Sequence, residues 1–284
     1  MLREISNCGV ITRFAPSPTG CLHLGHVYAA KFAYDLAQVE GGQFLLRFED
    51  IDTTRVRKEH YAQIEQDLCW LGLGWGEQLI RQIDRLDAYD AAMECLKEMA
   101  VVYPCFCTRR EIQQEIEAMH YAPHGPEGPL YPGICRALSH KERVERIACG
   151  EAHAWRLDTA KIADRVRGLT FTDAIHGVQE IDPFLLGDVV LARKDIATSY
   201  HLAVVVDDAY QGVTDVTRGS DLLPSTHVHR ILQILLDLPE PRYHHHRLIL
   251  DEQGKRLAKR DDALSIGALR AEGKSPDEVL AMLT

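Results

Sequence analysis

Arg13-Phe14-Ala15-Pro16-Ser17-Pro18-Thr19-Gly20-Cys21-Leu22-His23-Leu24-Gly25-His26 is the stretch on which the reading of the fold turns. Val10 to Phe14 is a short apolar, β-branched run, Pro16 to Gly20 is turn material, and from Leu22 the pattern becomes helical, so the segment reads strand, loop, helix. A helix start carries unpaired N–H groups and the positive end of the macrodipole, and attracts anions. His23 and His26 fall on one face of the first turn and can donate to phosphate oxygens, while Gly25 lets a flat base or sugar approach the backbone. A lone His-x-x-His is more often a pair of satisfied histidines. The strand, the Pro/Gly turn and the intervening glycine shift the reading to a nucleotide site.

Near the other end, Lys255-Arg256-Leu257-Ala258-Lys259-Arg260 follows a strand-like stretch, Arg247 to Leu250, and a turn at Asp251 to Gly254. A basic hexamer alone is usually a solvated face or an RNA patch. Paired with the histidine motif it reads as the second half of an ATP clamp, closing on the charge that develops as pyrophosphate leaves.

These two elements resemble those of the class I aminoacyl-tRNA synthetases of the glutamyl group. His23-Leu24-Gly25-His26 is similar to that family's His-Ile-Gly-His element, and Leu257-Ala258-Lys259-Arg260 to its Lys-Met-Ser-Lys element, with Ala258 where serine is usual. The resemblance implies a Rossmann-like α/β catalytic core with a parallel sheet, catalytic roles for His23, His26 and Lys259, and ATP contacts from His23, Gly25, His26, Leu257 and Lys259, with Mg²⁺ accompanying ATP.

Free glutamate needs a cation for each carboxylate and an anion for its ammonium, and Arg grips a carboxylate with a planar fork. Arg13, Glu49 in Leu46-Arg47-Phe48-Glu49-Asp50, and Arg218 in Val216-Thr217-Arg218-Gly219 are candidates; the bland reading of each is a surface ion pair. By resemblance, Arg13 to Gly20 and Arg47-Phe48-Glu49-Asp50-Ile51-Asp52 match the glutamyl pattern, Ser17 and Glu49 standing where glutaminyl enzymes carry other residues. The same resemblance implies a glutamate pocket of Arg13, Ala15, Ser17, Glu49, Tyr200 and Arg218. Tyr200 and Arg218 face the side-chain carboxylate and Glu49 takes the ammonium. Val204 stands where full-length enzymes commonly have asparagine, which predicts lower amino-acid affinity.

With 284 residues, of which 46% are hydrophobic, the chain has room for one catalytic core and one insertion. No apolar run approaches the roughly 20 residues of a membrane span, and Leu2 to Cys8 is too short and mixed for a leader. A cytoplasmic protein without membrane partners is expected, and its eight scattered cysteines agree. A net charge of −10 excludes a wide basic nucleic-acid face and leaves a local RNA contact, best placed at Arg242 to Arg260, including His244, His245 and His246.

Four segments are expected: residues 1–104, the first half of the catalytic domain, with helices from about Arg57 to Leu71 and Arg85 to Met99; 105–180, an inserted subdomain; 181–240, the second half, its strands near Ile181 to Arg193 and Leu202 to Asp207; and 241–284, a stem-contact region with the lysine loop and a helical tail, Ser275 to Leu283. Cys105, Cys107 and Cys135 are expected to supply three thiolates of a structural Zn²⁺ site; the bland reading is buried free thiols, since the spacing is not that of a paired Cys-x-x-Cys finger. His120 or His124 is the default fourth donor, and the Cys-x-Cys, Tyr-x-x-x-Cys pattern of the glutamyl-queuosine branch implies Tyr131 instead.

That branch also implies the partners: ATP, L-glutamate and the anticodon loop of tRNA(Asp) carrying queuosine; nothing in the sequence demands a dimer, and a monomer is expected. It lacks the helical anticodon-binding half of glutamyl-tRNA synthetases. The alternatives are a truncated synthetase charging the acceptor end, a small-molecule adenylyltransferase, and a silent RNA-binding paralogue with damaged ATP motifs.

Overall fold

The computed structural model describes residues 9–119, 124–126, 128–196, 198–249 and 265–283. Its first half runs β1 (Ile11–Phe14), α1 (Leu24–Val39), β2 (Gln43–Phe48), α2 (Lys58–Trp70), β3 (Ile80–Arg81), α3 (Leu86–Glu98), β4 (Val102–Cys105), α4 (Arg109–Ala118), β5 (His124–Gly125), β6 (Gly128–Pro129) and α5 (His140–Ala148). It continues through β7 (Ala154–Leu157), α6 (Thr159–Val166), β8 (Thr170–Asp173), β9 (Gly177–Glu180), β10 (Val190–Ala192), α7 (Tyr200–Tyr210), β11 (Asp215–Gly219), α8 (Leu223–Leu235), β12 (Arg242–His246), α9 (Ile266–Ala271) and α10 (Pro276–Ala281).

β1, β2 and β3 pair in parallel, Arg13 opposite Leu45. A stripe of small residues on α1, Ala30, Ala33 and Ala37, is fully buried and lets the helix lie close to this sheet, where Thr12 Oγ1 donates to the Ala33 carbonyl (2.8 Å). A second sheet, in the order β11-β12-β8-β9, is parallel across its first three strands. It meets β1 edge to edge, for the Thr214 N–H donates to the Ile11 carbonyl (3.0 Å) and the Ile11 N–H to Thr214 Oγ1 (2.8 Å). The crossover connections between these parallel strands carry the helices, which makes this an α/β fold of nucleotide-binding type. A third, antiparallel sheet, β10-β7-β4, carries Cys105 at the end of β4. Sheet pairing thus joins residues on both sides of position 180.

The expected helices over 57–71 and 85–99 are α2 and α3. Leu202 to Asp207 is not a strand: it lies inside α7, packed between α3 and α8. Leu202, Ala203, Val204 and Val205 are all buried there, and a helix covered on every side loses the polar stripe that would distinguish it from a central strand. Arg247 to Leu250 is corrected too. The strand is β12, ending at His246; Arg247 to Ile249 is irregular and Leu250 lies outside the described residues. Arg-Tyr-His-His-His does not read as a strand, yet His245 and His246 are buried in it. The tail forms α9 and α10, whose Ile266, Leu269 and Val279 close the core beneath α1 and β2. No helix among the described residues is long and apolar enough to cross a membrane.

Candidate active site

The turn between β1 and α1 is held by its own histidines. His23 is the N-cap of α1, its Nδ1 accepting from the Gly25 N–H (3.1 Å), and His26 Nδ1 accepts from the His23 N–H (3.3 Å). This is a capping box built from imidazoles, their rings stacked at 3.8 Å. Because each Nδ1 is an acceptor, the hydrogen-bond network assigns the proton of each neutral ring to Nε2, which makes both histidines donors on that side. A Cβ on Gly25 would come within 3.1 Å of the His23 ring, so glycine is what lets that ring fold back on the turn. His23, Gly25 and His26 line a cavity of 120 Å³ with Tyr28, Gly219, Asp221 and His246. The chain returns to this turn after the lysine loop: Ser265 bridges His23, and the Ile266 N–H donates to the Leu22 carbonyl (2.9 Å). Leu257, Ala258, Lys259 and Arg260 lie outside the described residues.

A neighbouring cavity of 320 Å³ shares His26, Ala29 and Gly219 with the first and brings together Arg13, Ala15, Ser17, Glu49, Tyr200 and Arg218. Its floor is an ion cluster around Asp208 of α7. Arg13 Nε donates to Asp208 Oδ1 (2.9 Å) and Arg13 Nη1 to the Thr217 carbonyl (2.7 Å). Arg47, fully buried on β2, donates from Nη1 to Asp208 Oδ1 (2.8 Å), and its Nη2 lies 3.5 Å from Glu49 Oε1. Burial alone would raise the Asp208 carboxyl, but Arg13 and Arg47 outweigh it and hold the group below the ordinary carboxylate range. Glu49 goes the other way: burial pushes it up against the pull of Arg47 and Arg13.

Arg218 of β11 donates from Nη1 to Tyr200 Oη (3.0 Å) and from Nη2 to Thr226 Oγ1 (3.1 Å). Its Nε and the Thr217 hydroxyl are buried without a partner among the described residues. Arg47 Nε is likewise buried without a partner, so the polar groups around this cavity are not all satisfied by the described residues. Arg13, Arg47 and Arg218 face Asp208 and Glu49, and Asp207, which also acts on Arg47 and Glu49, is paired with Arg85, so four guanidiniums stand against three carboxylates, an excess of one positive charge. On the far side of Glu49 and Tyr200 lies a third cavity, of 270 Å³, lined also by Asp52, Arg55, Arg193 and Ser199. Val204 belongs to the apolar core.

The thiols of Cys105, Cys107 and Cys135 lie within 4.8 Å of one another. Cys107 Sγ is 3.4 Å from Cys135 Sγ, and Tyr131 Oη is 3.4 Å from Cys105 Sγ and 3.6 Å from Cys107 Sγ. Tetrahedral zinc–thiolate bonds of about 2.3 Å separate sulfurs by roughly 3.8 Å, so a small shift of these groups would accept the ion. Hydrogen bonding from Cys135 lowers the Cys105 thiol, while the same contact and burial raise Cys135. The Arg156 guanidinium stacks 3.8 Å above the Tyr131 ring. His124 is exposed on β5, and His120 lies outside the described residues.

Asp208, Arg47, Thr217 and Thr226 escape the sequence reading. A paired Asp207-Asp208 inside an apolar run was the available signal: buried acids require partners, and Asp207 too takes Gln82, Arg85 and Tyr89. Of the expected RNA patch, residues 250–264 lie outside the described residues, and the histidine run has partners inside the protein. His244 bonds Asp215 (2.8 Å), His245 bonds Asp173 (2.6 Å), and His246 is buried beside Tyr28 and Phe32.

A strand-turn-helix with paired histidines beside a cation-rich cavity on a parallel sheet is a class I synthetase layout. The chain matches tRNA synthetases class I (E and Q), catalytic domain, over residues 9–284, and it belongs to that family. Within the family it is similar to the glutamyl-Q tRNA(Asp) synthetase of Rhodobacter capsulatus, 49% identical over 280 residues that cover 96% of this chain and 99% of that one. The protein of the same name from Nocardia farcinica is 46% identical, covering 96% of this chain and 83% of the other. Among solved structures, a glutamate tRNA ligase from Elizabethkingia meningosepticum in complex with its amino acid superposes with a TM-score of 0.76 at 32% identity. The match covers 89% of this chain and 52% of that ligase, so the chain spans about half its length.

Proposed function

We propose that this protein activates L-glutamate with ATP, without needing tRNA, and passes the glutamyl group to a hydroxyl of the queuosine ring at the wobble position of tRNA(Asp). The observation that carries the amino-acid assignment is the cavity's surplus guanidinium, with the unpartnered Arg218 Nε and Thr217 hydroxyl beside it. Glutamate has two carboxylates and one ammonium, a net charge of −1 that complements the surplus; glutamine is neutral and does not. In this reading the side-chain carboxylate meets Arg218 and Tyr200, Arg13 stiffens the floor through Asp208, and the ammonium relieves the buried Glu49.

The wall shared by the two cavities at His26 sets the direction of the first step. An α-carboxylate oxygen forms a bond to the α-phosphorus of ATP, and the bond to the bridging oxygen breaks as pyrophosphate takes its electron pair. The Nε2–H groups of His23 and His26 stabilise the charge on the phosphoryl oxygens, and Lys259 is assigned the leaving pyrophosphate. Mg²⁺ bound with ATP would neutralise phosphate charge. In the second step the acceptor hydroxyl attacks the glutamyl carbonyl and AMP departs; the cavity beyond Glu49 and Tyr200 offers the acceptor its approach. Cys105, Cys107, Cys135 and Tyr131 would hold Zn²⁺ in a closed structural shell, remote from the reaction. The assigned segments are the catalytic halves 1–104 and 181–240, the inserted subdomain 105–180 and the stem-contact region 241–284.

The supporting experiment is glutamate-dependent ATP–pyrophosphate exchange in the absence of tRNA, followed by transfer of labelled glutamate to tRNA(Asp) with and without queuosine. Exchange without RNA and transfer only to the modified tRNA is the expected result. Equal transfer to unmodified tRNA would assign the acceptor end instead, and no exchange with glutamate would remove the enzyme reading. For the zinc site, Cys135→Ser should lower bound zinc and thermal stability together, because a structural ion contributes folding free energy. Unchanged metal stoichiometry would remove that assignment.

A further inference from the structure

His245 is buried, read as part of an RNA patch, and given no role by the reaction above. It stands opposite Arg218 in the parallel register of β11 and β12. Its Nδ1 is 2.6 Å from Asp173 Oδ2, and its Nε2 is 2.9 Å from Thr226 Oγ1. Thr226 Oγ1 in turn accepts from Arg218 Nη2 (3.1 Å). Thr226 and His245 are fully buried and Asp173 is 1% exposed.

The proton order along this chain is fixed from its far end. Asp173 accepts from the backbone N–H groups of Ile175, His176 and His245; burial would raise its carboxyl, but the side-chain bond from His245 and the backbone bonds from His176 and Ile175 outweigh it and hold the group below the ordinary carboxylate range, ionised. An ionised Asp173 can only accept, so His245 Nδ1 carries the proton and donates to it, Nε2 is left as an acceptor, and Thr226 must donate to Nε2. A competing acceptor for Thr226, the Leu222 carbonyl, is farther, at 3.4 Å. The Thr226 oxygen then turns a lone pair to Arg218. Each link has one orientation, and four elements of the fold converge on one arginine nitrogen.

We infer that Asp173, His245 and Thr226 are positioning residues for Arg218, clamping its Nη2 so that the rest of the guanidinium is presented to the side-chain carboxylate of the amino acid. This rests on the proposed glutamate site. The device sets amino-acid affinity and the preference for a carboxylate over an amide, and leaves ATP binding alone.

The test is glutamate-dependent pyrophosphate exchange by the whole chain and its Thr226→Val, Thr226→Ser and His245→Asn variants, with glutamine as competitor substrate. Thr226→Val keeps the shape and removes the hydroxyl. It is expected to raise KM for glutamate about tenfold, with kcat and the KM for ATP within about twofold of wild type, and to reduce the glutamate-over-glutamine ratio of kcat/KM. Thr226→Ser restores the hydroxyl and should restore KM. His245→Asn retains a donor for Asp173 and lacks the acceptor for Thr226, so it should reproduce the Thr226→Val phenotype and carries the test if that variant does not fold. An active wild type whose variants keep the glutamate KM, or lose ATP and glutamate alike, overturns this inference alone. A wild type without glutamate-dependent exchange overturns the functional reading and this inference with it.

Discussion

The two ends of the proposed site are built in opposite ways. The nucleotide end is built on one continuous turn, where His23, Gly25 and His26 cap the helix that carries them through side-chain bonds spanning three residues or fewer, with Ser265 bridging His23 from the far end of the chain. The amino-acid end is assembled from β1, β2, α7 and β11, and its central contact joins Arg13 to Asp208, 195 residues away. The first is stabilised by local hydrogen bonds near the surface. The second stakes buried charges on one another, where removing one partner leaves the rest uncompensated.

That contrast is broken most severely by Asp208→Ala. With Arg13 and Arg47 left buried and unpaired, stability should fall by about 3–5 kcal/mol, read by denaturant unfolding. A loss below about 1 kcal/mol would mean that the cluster is not the keystone of this end.

Arg218→Ala comes next. Removing one charged partner of a carboxylate should cost about 1.5–3 kcal/mol of glutamate binding, with ATP binding nearly untouched. Equal weakening of both ligands would erase the division between the two ends.

Acid sharpens the comparison through the groups' own titrations. Burial, with Arg218 adding to it, pushes His245 down to about 4 despite Asp173, so between about 4 and the ordinary 6.5 the unfolded chain binds the extra proton. Stability contributed by neutral His245 is therefore lost as pH falls through that window. Asp208, lowered from 3.8, loses its contribution only at still lower pH. A melting temperature flat from pH 6.5 to 4 would contradict this order.

Gly25→Ala should have the smallest effect. A Cβ 3.1 Å from the His23 ring displaces an imidazole by a few tenths of an ångström, so KM for ATP should rise several-fold with glutamate affinity and melting temperature unchanged. A melting temperature that fell instead would place the glycine's role in folding.

The same division governs what was legible. Helices α2 and α3 and the strand-turn-helix at residue 11 follow from periodicity and turn residues, because local chemistry enforces them. The misread segments are Leu202 to Asp207, a helix covered on most sides, and the strand expected from Arg247, which instead is β12 over Arg242–His246, its histidines paired inside the protein: in both, burial erases or masks the pattern. Arg13, Glu49 and Arg218 stand out in sequence by charge and by resemblance. Nothing in the sequence shows that Asp208 binds two of the three cations, or that Thr226 and His245 stand behind the third.

Sequence by itself determined the histidine turn, the family and the cysteine set, and pointed to the amino acid proposed here, since each depends on residue identity at short spacing or on charge. Tertiary structure alone decided which guanidiniums are already spent on Asp208, which one bonds Tyr200 and Thr226 instead, and how a histidine on the neighbouring strand stands behind it. The physical reason is that a buried charge has no fixed role until its partners are known, and those partners are chosen by sheet register and helix packing across some 200 residues of chain.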